Sequence, residues 1–134
     1  MKPRYPLLLA LLAAGCALAG SACAEWQLVG RDESVRLYVD DNSIQRKGDY
    51  AQIMQLTDFA IAQWADAQTA IGSIKALVEY DCVQPRSRAY SISAYSEQMA
   101  VGKTVANENF VDPQWTTIAP GISVEKLRQI ACAK

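Results

Sequence analysis

Four cysteines, no histidine and a few close carboxylates define the chemistry open to this 134-residue chain. The missing histidine removes the commonest general base and the commonest transition-metal ligand. The cysteines, Cys16, Cys23, Cys82 and Cys132, form no C-x-x-C motif. Cys82 and Cys132 stand 50 positions apart, a weak metal set without imidazole beside it. The carboxylates cluster as Asp40-Asp41, Asp58, and Glu79 with Asp81. Glu79 and Asp81 would share a strand face, about 7 Å apart. A glycosidase pair needs such proximity across a cleft, but a solvated sheet face is the simpler reading. Ser91, Ser93 and Ser96 lack the G-x-S-x-G or S-x-x-K setting that supplies a base. The stretch DDNS at 40–43 has oxygens for calcium but not the spacing and glycine of a helix-loop-helix site. It reads as a turn with an Asx cap. No catalytic set converges, so the expectation is a protein that is not an enzyme and needs no cofactor.

Aromatic residues point elsewhere. Tyr38, Tyr50, Tyr80, Tyr90 and Tyr95 all lie in predicted strands. Tyrosines on an open sheet face can anchor a partner, though cross-strand packing is their commoner use. The longest basic cluster, RSR at 86–88, reads as a solvated turn, and nucleic-acid binding gains no support from charge.

The first 24 residues look like an export signal. Lys2 and Arg4 precede an uncharged run that begins at Leu7, and Ala22-Cys23-Ala24 supplies an A-x-A cleavage pattern. Counted through Ala24 the run reaches 18 residues, the lower limit for a membrane span. Its second half of Gly, Ser, Cys and Ala makes a poor one. A cut after Ala24 removes Cys16 and Cys23 and leaves Cys82 and Cys132, an even pair suited to one disulfide in an oxidising compartment. The alternative is a lipoprotein cut before Cys16, in LAAGC, which would lipidate Cys16 and leave an odd thiol at Cys23. The favoured division is therefore 1–24 signal peptide and 25–134 a single domain. Loss of Lys2 and Arg4 leaves 11 basic against 14 acidic residues, a net charge of −3.

The elements that must position these residues follow from periodicity. VRLYVDD at 35–41 alternates as a half-buried strand, preceded by a strand in EWQLVGRDE. RKGD at 46–49 signals a turn, and YAQIMQLTDFA at 50–60 is a long strand. IAQWADAQTAIG at 61–72 is alanine-rich and fits a short helix or an irregular excursion equally. SIKALVEYDCV at 73–83 sets Ile74, Ala76, Val78, Tyr80 and Cys82 against Lys75, Leu77, Glu79 and Asp81, the pattern of a central strand. Pro85 marks a turn, AYSISAYSEQM at 89–99 completes a hairpin, and KTVA suits an edge strand. SVEKLRQIACA at 123–133 is the best helix, with Ser123 as N-cap, Glu125 in the first turn and a stripe of Val124, Leu127, Ile130 and Ala131. Strands first and a helix last predict an α+β fold: an antiparallel sheet of about five to six strands with the C-terminal helix packed on one face. A Cys82–Cys132 disulfide would tie that helix to the sheet.

The order YVDDNSI, LTDFA, EYDC, YSEQMAVG, WTTIAPG and ACA resembles the surface-adhesin protein E-like family of Gram-negative bacteria. The matching positions are Tyr38, Asp40, Ser43 and Ile44; Asp58 and Phe59; Asp81 and Cys82; Tyr95, Ser96, Met99 and Gly102; and Trp115, Pro120, Gly121 and Cys132. The resemblance spans residues 26–133. It implies an antiparallel sheet with a terminal helix tied by Cys82–Cys132, and adhesin-like binding of host extracellular-matrix or serum proteins. The expected protein is thus a protein-binding module of the cell envelope, with no membrane span in its mature chain. The alternative is a soluble periplasmic structural or stress-related protein, for example an inhibitor of an envelope-attacking enzyme such as lysozyme.

Overall fold

The structure, a computed structural model, describes residues 24–134. The expected signal segment, with Cys16 and Cys23, lies outside the described residues. Six strands run in chain order as an antiparallel meander: β1 (Trp26–Arg31), β2 (Val35–Lys47), β3 (Tyr50–Trp64), β4 (Ala70–Asp81), β5 (Arg86–Tyr95) and β6 (Thr104–Asn109). A two-residue strand, β7 (Thr116–Thr117), returns to pair with the first half of β5. One helix, α1 (Ser123–Cys132), follows. The order arises from short turns, which force neighbours antiparallel. Asp32 Oδ1 accepts the N–H groups of Ser34 and Val35 between β1 and β2. Gly48, at φ +56°, makes the β2–β3 turn. Asp81 Oδ1 accepts from Val83 and Gln84 to close the turn into β5.

The helix-facing side of the sheet carries the core. Val39, Ala51, Ile53, Val78 and Tyr80 meet Leu127 and Ala131 of α1, with Ile118 of the preceding segment. Burying a leucine of this kind contributes about 2 kcal/mol. Cys82 and Cys132 are bonded, with Cα atoms 5.6 Å apart. Side chains complete the attachment. Arg46 Nη1 donates to the Cys132 carbonyl at 2.8 Å, satisfying a helix-end acceptor. Arg128 Nε donates to the Asp81 carbonyl at 2.7 Å, and Lys126 Nζ to that of Val29 at 2.5 Å. Val124 and Ile130 flank the stripe, as the periodicity predicts. Ser123 departs from expectation. Ile122 is the N-cap, Ser123 is already helical, and no side chain caps the helix.

Residues 61–72 form no helix, and only 65–69 are irregular, at the tip of a strand extension. β3 and β4 continue past their neighbours into a two-stranded arm, with Gln63 opposite Ile71 and Trp64 opposite Ala70. β2 reaches only to Phe59. Local helix propensity of the alanines is weak against pairing already established along β3 and β4. A 3-10 turn, Gln98–Ala100, grips the base of the arm. Met99 N–H donates to Asp58 Oδ1 at 2.7 Å, Ala100 N–H to Ser73 Oγ at 2.8 Å, and Gln98 Nε2 to the Phe59 carbonyl at 2.7 Å. These bonds hold Met99 and Ala100 at φ +59°, a left-handed conformation that non-glycine residues rarely adopt. Gly72 lies against the Glu97 backbone, where no side chain would fit.

Candidate functional site

Register determines which side chains share the sheet face away from α1. Tyr38 opposes Leu56, Leu56 opposes Lys75, and Lys75 opposes Ser93. Tyr50 opposes Asp81, Asp81 opposes Arg86, and Glu79 opposes both Gln52 and Arg88. Tyr38, Tyr50 and Tyr95 therefore lie on this face, and Tyr90 joins them through a bulge in β5 that brings its hydroxyl to Glu79 Oε1 at 3.4 Å. Tyr80 alone among the five tyrosines of the strands faces the helix. Its hydroxyl donates to Gln55 Oε1 at 2.7 Å, and burial pushes its pKa well above the ordinary 10.0.

Carboxylates lie beneath and cations above. Glu79 and Asp81 are only 4% and 3% exposed, so the expected solvated face is not what the structure contains. Each has its own guanidinium. Arg88 donates to Glu79 Oε1 through Nε at 2.8 Å and Nη2 at 2.6 Å. Arg86 Nε donates to Asp81 Oδ2 at 2.8 Å. Gln52 Nε2 satisfies Glu79 Oε2 at 2.9 Å. Burial works to raise the Asp81 carboxyl. The N–H groups of Gln84 and Val83, with Arg86, more than offset it and hold the group below its ordinary 3.8. Two carboxylates so committed do not form a glycosidase pair. RSR at 86–88 is likewise no solvated turn: it opens β5, with Arg86 and Arg88 half-buried.

Trp115 organises the outer layer. The Arg86 and Arg88 guanidinium carbons lie 4.5 and 4.2 Å from its ring centroid, and the Tyr50 ring lies 5.5 Å away. Cation–π contact of this kind favours arginine over lysine. Further along the face, Lys75 lies 5.5 Å from the Tyr95 ring. In the sequence Trp115 stands out only as a position of the family pattern, with no role attached to it. A large aromatic next to the TT pair of a short edge strand was the available signal, but β7 pairing with β5 is what brings it over the two arginines.

The remaining candidates take local roles. Ser93 Oγ donates to Asn107 Oδ1, and Ser96 Oγ accepts the Lys103 N–H. Within DDNS, Asn42 N–H donates to Asp40 Oδ1, and Ser43 Oγ bridges the Asp40 carbonyl and the Met54 N–H. The Asx contact exists, but it shapes a bulge inside β2 rather than a turn. Among the described residues, no group of three potential metal ligands converges and no helix is long and apolar enough to cross a membrane.

A disulfide-tied antiparallel meander with one covering helix, and an arginine–aromatic layer on its uncovered face, defines a compact class of β-rich domain. The chain belongs to the surface-adhesin protein E family, whose model matches residues 26–133. Solved structures agree on the fold. Haemophilus influenzae protein E matches with a TM-score of 0.59 at 12% identity, covering 84% of this chain and 87% of that one. Its second crystal form gives 0.57 at 12% identity, covering 78% and 91%. Protein E from non-typeable Haemophilus influenzae gives 0.56 at 12% identity, covering 85% and 79%. Comparison with curated protein sequences gives no match. Family and fold together make this a surface adhesin-like protein.

Proposed function

We propose that this protein is an exported, non-catalytic binding module of the cell envelope that engages a host extracellular-matrix or serum protein through the open face of its sheet. The observation that carries the reading is the Tyr50, Trp115, Arg86 and Arg88 group. Trp, Tyr and Arg dominate the energetics of protein interfaces, and here they are held in place by buried carboxylates on a face that α1 leaves uncovered. A rigid layer of this kind loses little side-chain freedom on binding.

The test is saturable binding to a panel of immobilised matrix and serum proteins. Trp115→Ala is expected to weaken the interaction about 30-fold, the effect of losing roughly 2 kcal/mol at a central anchor. Binding that survives both Trp115→Ala and Tyr50→Ala would move the interface elsewhere. No binding at all, with stoichiometric inhibition of lysozyme instead, would replace adhesion by the periplasmic inhibitor reading.

Export is part of the same proposal. Cleavage after Ala24 yields a chain beginning at Glu25, without Cys16 and Cys23. The intact mass of the native protein, measured without reduction, is expected to match that chain less two hydrogens. A lipidated species beginning at Cys16 would overturn the cleavage and anchor the domain to a membrane instead.

A further inference from the structure

A second concavity lies on the helix side of the sheet, separate from the open face. The segment between β6 and β7 spans the outer edge of β5. Phe110 N–H donates to the Tyr90 carbonyl at 2.9 Å, and Thr116 pairs with Ser87. Between these two attachments runs Pro113, which has no N–H to continue the ladder. Under this span is a cavity of about 410 Å³, within the size range of small-molecule sites.

Its walls are divided by polarity. Ile92, Phe110 and Val124 supply apolar surface, while Gln55, Ser87 and Thr116 supply polar groups. The Tyr80 hydroxyl donates to Gln55 Oε1 and so fixes the amide, leaving Nε2 as a donor with no partner among the described residues. The side-chain hydroxyls of Ser87 and Thr116 have no partner among the described residues either. Charge is absent from this set of groups. Tyr80 keeps its proton, and Arg88, which also lines the cavity, has its guanidinium committed to Glu79 on the open face. An ionised ligand would lose hydration here without gaining a free counter-charge.

We infer that this cavity binds a small neutral molecule with an apolar body and a hydrogen-bond acceptor at one end. The apolar body lies against Ile92, Phe110 and Val124, and the acceptor meets Gln55 Nε2. The groups that would meet the ligand, Gln55, Ile92, Phe110 and Val124, are not among the open-face residues Tyr50, Trp115, Arg86 and Arg88, so binding at either place can fail without the other.

The probe is the neutral dye N-phenyl-1-naphthylamine, titrated into the mature protein and followed by its fluorescence. Saturable binding at one site per chain is expected, with the anionic dye 8-anilino-1-naphthalenesulfonate binding at least about tenfold more weakly. Ala89→Phe, which adds a ring at a residue lining the cavity, should weaken binding of the neutral dye about tenfold or more. Val124→Phe narrows the cavity from α1 and serves if Ala89→Phe fails to fold by circular dichroism. Trp64→Ala removes an indole that is 64% exposed on the distant arm and should change nothing. The inference is overturned by non-saturable binding, by equal affinity for the anionic dye, or by loss of binding in Trp64→Ala with none in the folded cavity variants.

Discussion

Cys82→Ala and Cys132→Ala are each expected to lower the melting temperature of a chain of residues 25–134 by roughly 15–30 °C. The bond closes a separation of 50 residues, and the loop-entropy account assigns such a closure about 4 kcal/mol. Each kcal/mol shifts the midpoint of a domain near this size by about 4–8 °C. The location adds to the effect. Cys132 ends α1, whose Leu127 and Ala131 complete the core, so the bond holds the last element against β4 and β3. Arg46 and Arg128 reach the same region through the carbonyls of Cys132 and Asp81 and should keep the helix near the sheet once the bond is gone. The variants are therefore expected to fold at low temperature with the native strand signal and melt early. Thermal denaturation with and without reductant checks this. Reduction should bring the wild type down to the level of the variants and leave the variants unchanged. A wild type as stable reduced as oxidised would show that the Cys82–Cys132 bond does not hold the domain together.

The same residues explain how far the sequence could be read. The alternation from Ile74 to Cys82 identifies the central strand and places Tyr80 on one face with Val78 and Cys82, because a period of two needs no knowledge of neighbours. Gly48 and the Leu127–Ala131 stripe are equally local signals. What failed depended on distant partners. Residues 61–72 extend as an arm because β3 and β4 keep pairing, a decision made between strands rather than within the segment. Alternation placed Glu79 and Asp81 on one face but said nothing of what covers it. The cover consists of Arg86 and Arg88 from the next strand and Trp115, brought by β7. The family motifs LTDFA and YSEQMAVG look unrelated in the chain. In the fold, Asp58 and Phe59 bind the backbone of Met99 and the side chain of Gln98. The short polar motifs of the sequence thus mark long-range contacts, which periodicity cannot register.

Arg88→Ala is expected to cost about 3–5 kcal/mol, the range for stranding one member of a buried ion pair. Glu79 is 4% exposed and accepts two hydrogen bonds from Arg88. Without the guanidinium, Gln52 and a 3.4 Å contact from Tyr90 remain, neither carrying charge. Burial works against the charge on Arg88 as well. The hydrogen bond from Arg88 to Glu79, together with the attraction of its carboxylate, more than restores it, and its pKa is raised. The loss has two components, because Arg88 also stacks on Trp115. A second variant separates them. Glu79→Gln with Arg88→Met removes both charges and keeps comparable side-chain bulk, so it should recover most of the stability lost in Arg88→Ala. Arg88→Lys should fall between, since a single ammonium cannot reproduce two directed bonds and a planar stack. Urea denaturation of the set supplies the comparison. If the double variant is as unstable as Arg88→Ala, the stack on Trp115 rather than the buried charge holds this layer together. The open face would then owe its rigidity to the aromatic residue that β7 delivers, and Trp115→Ala would lower stability as well as binding.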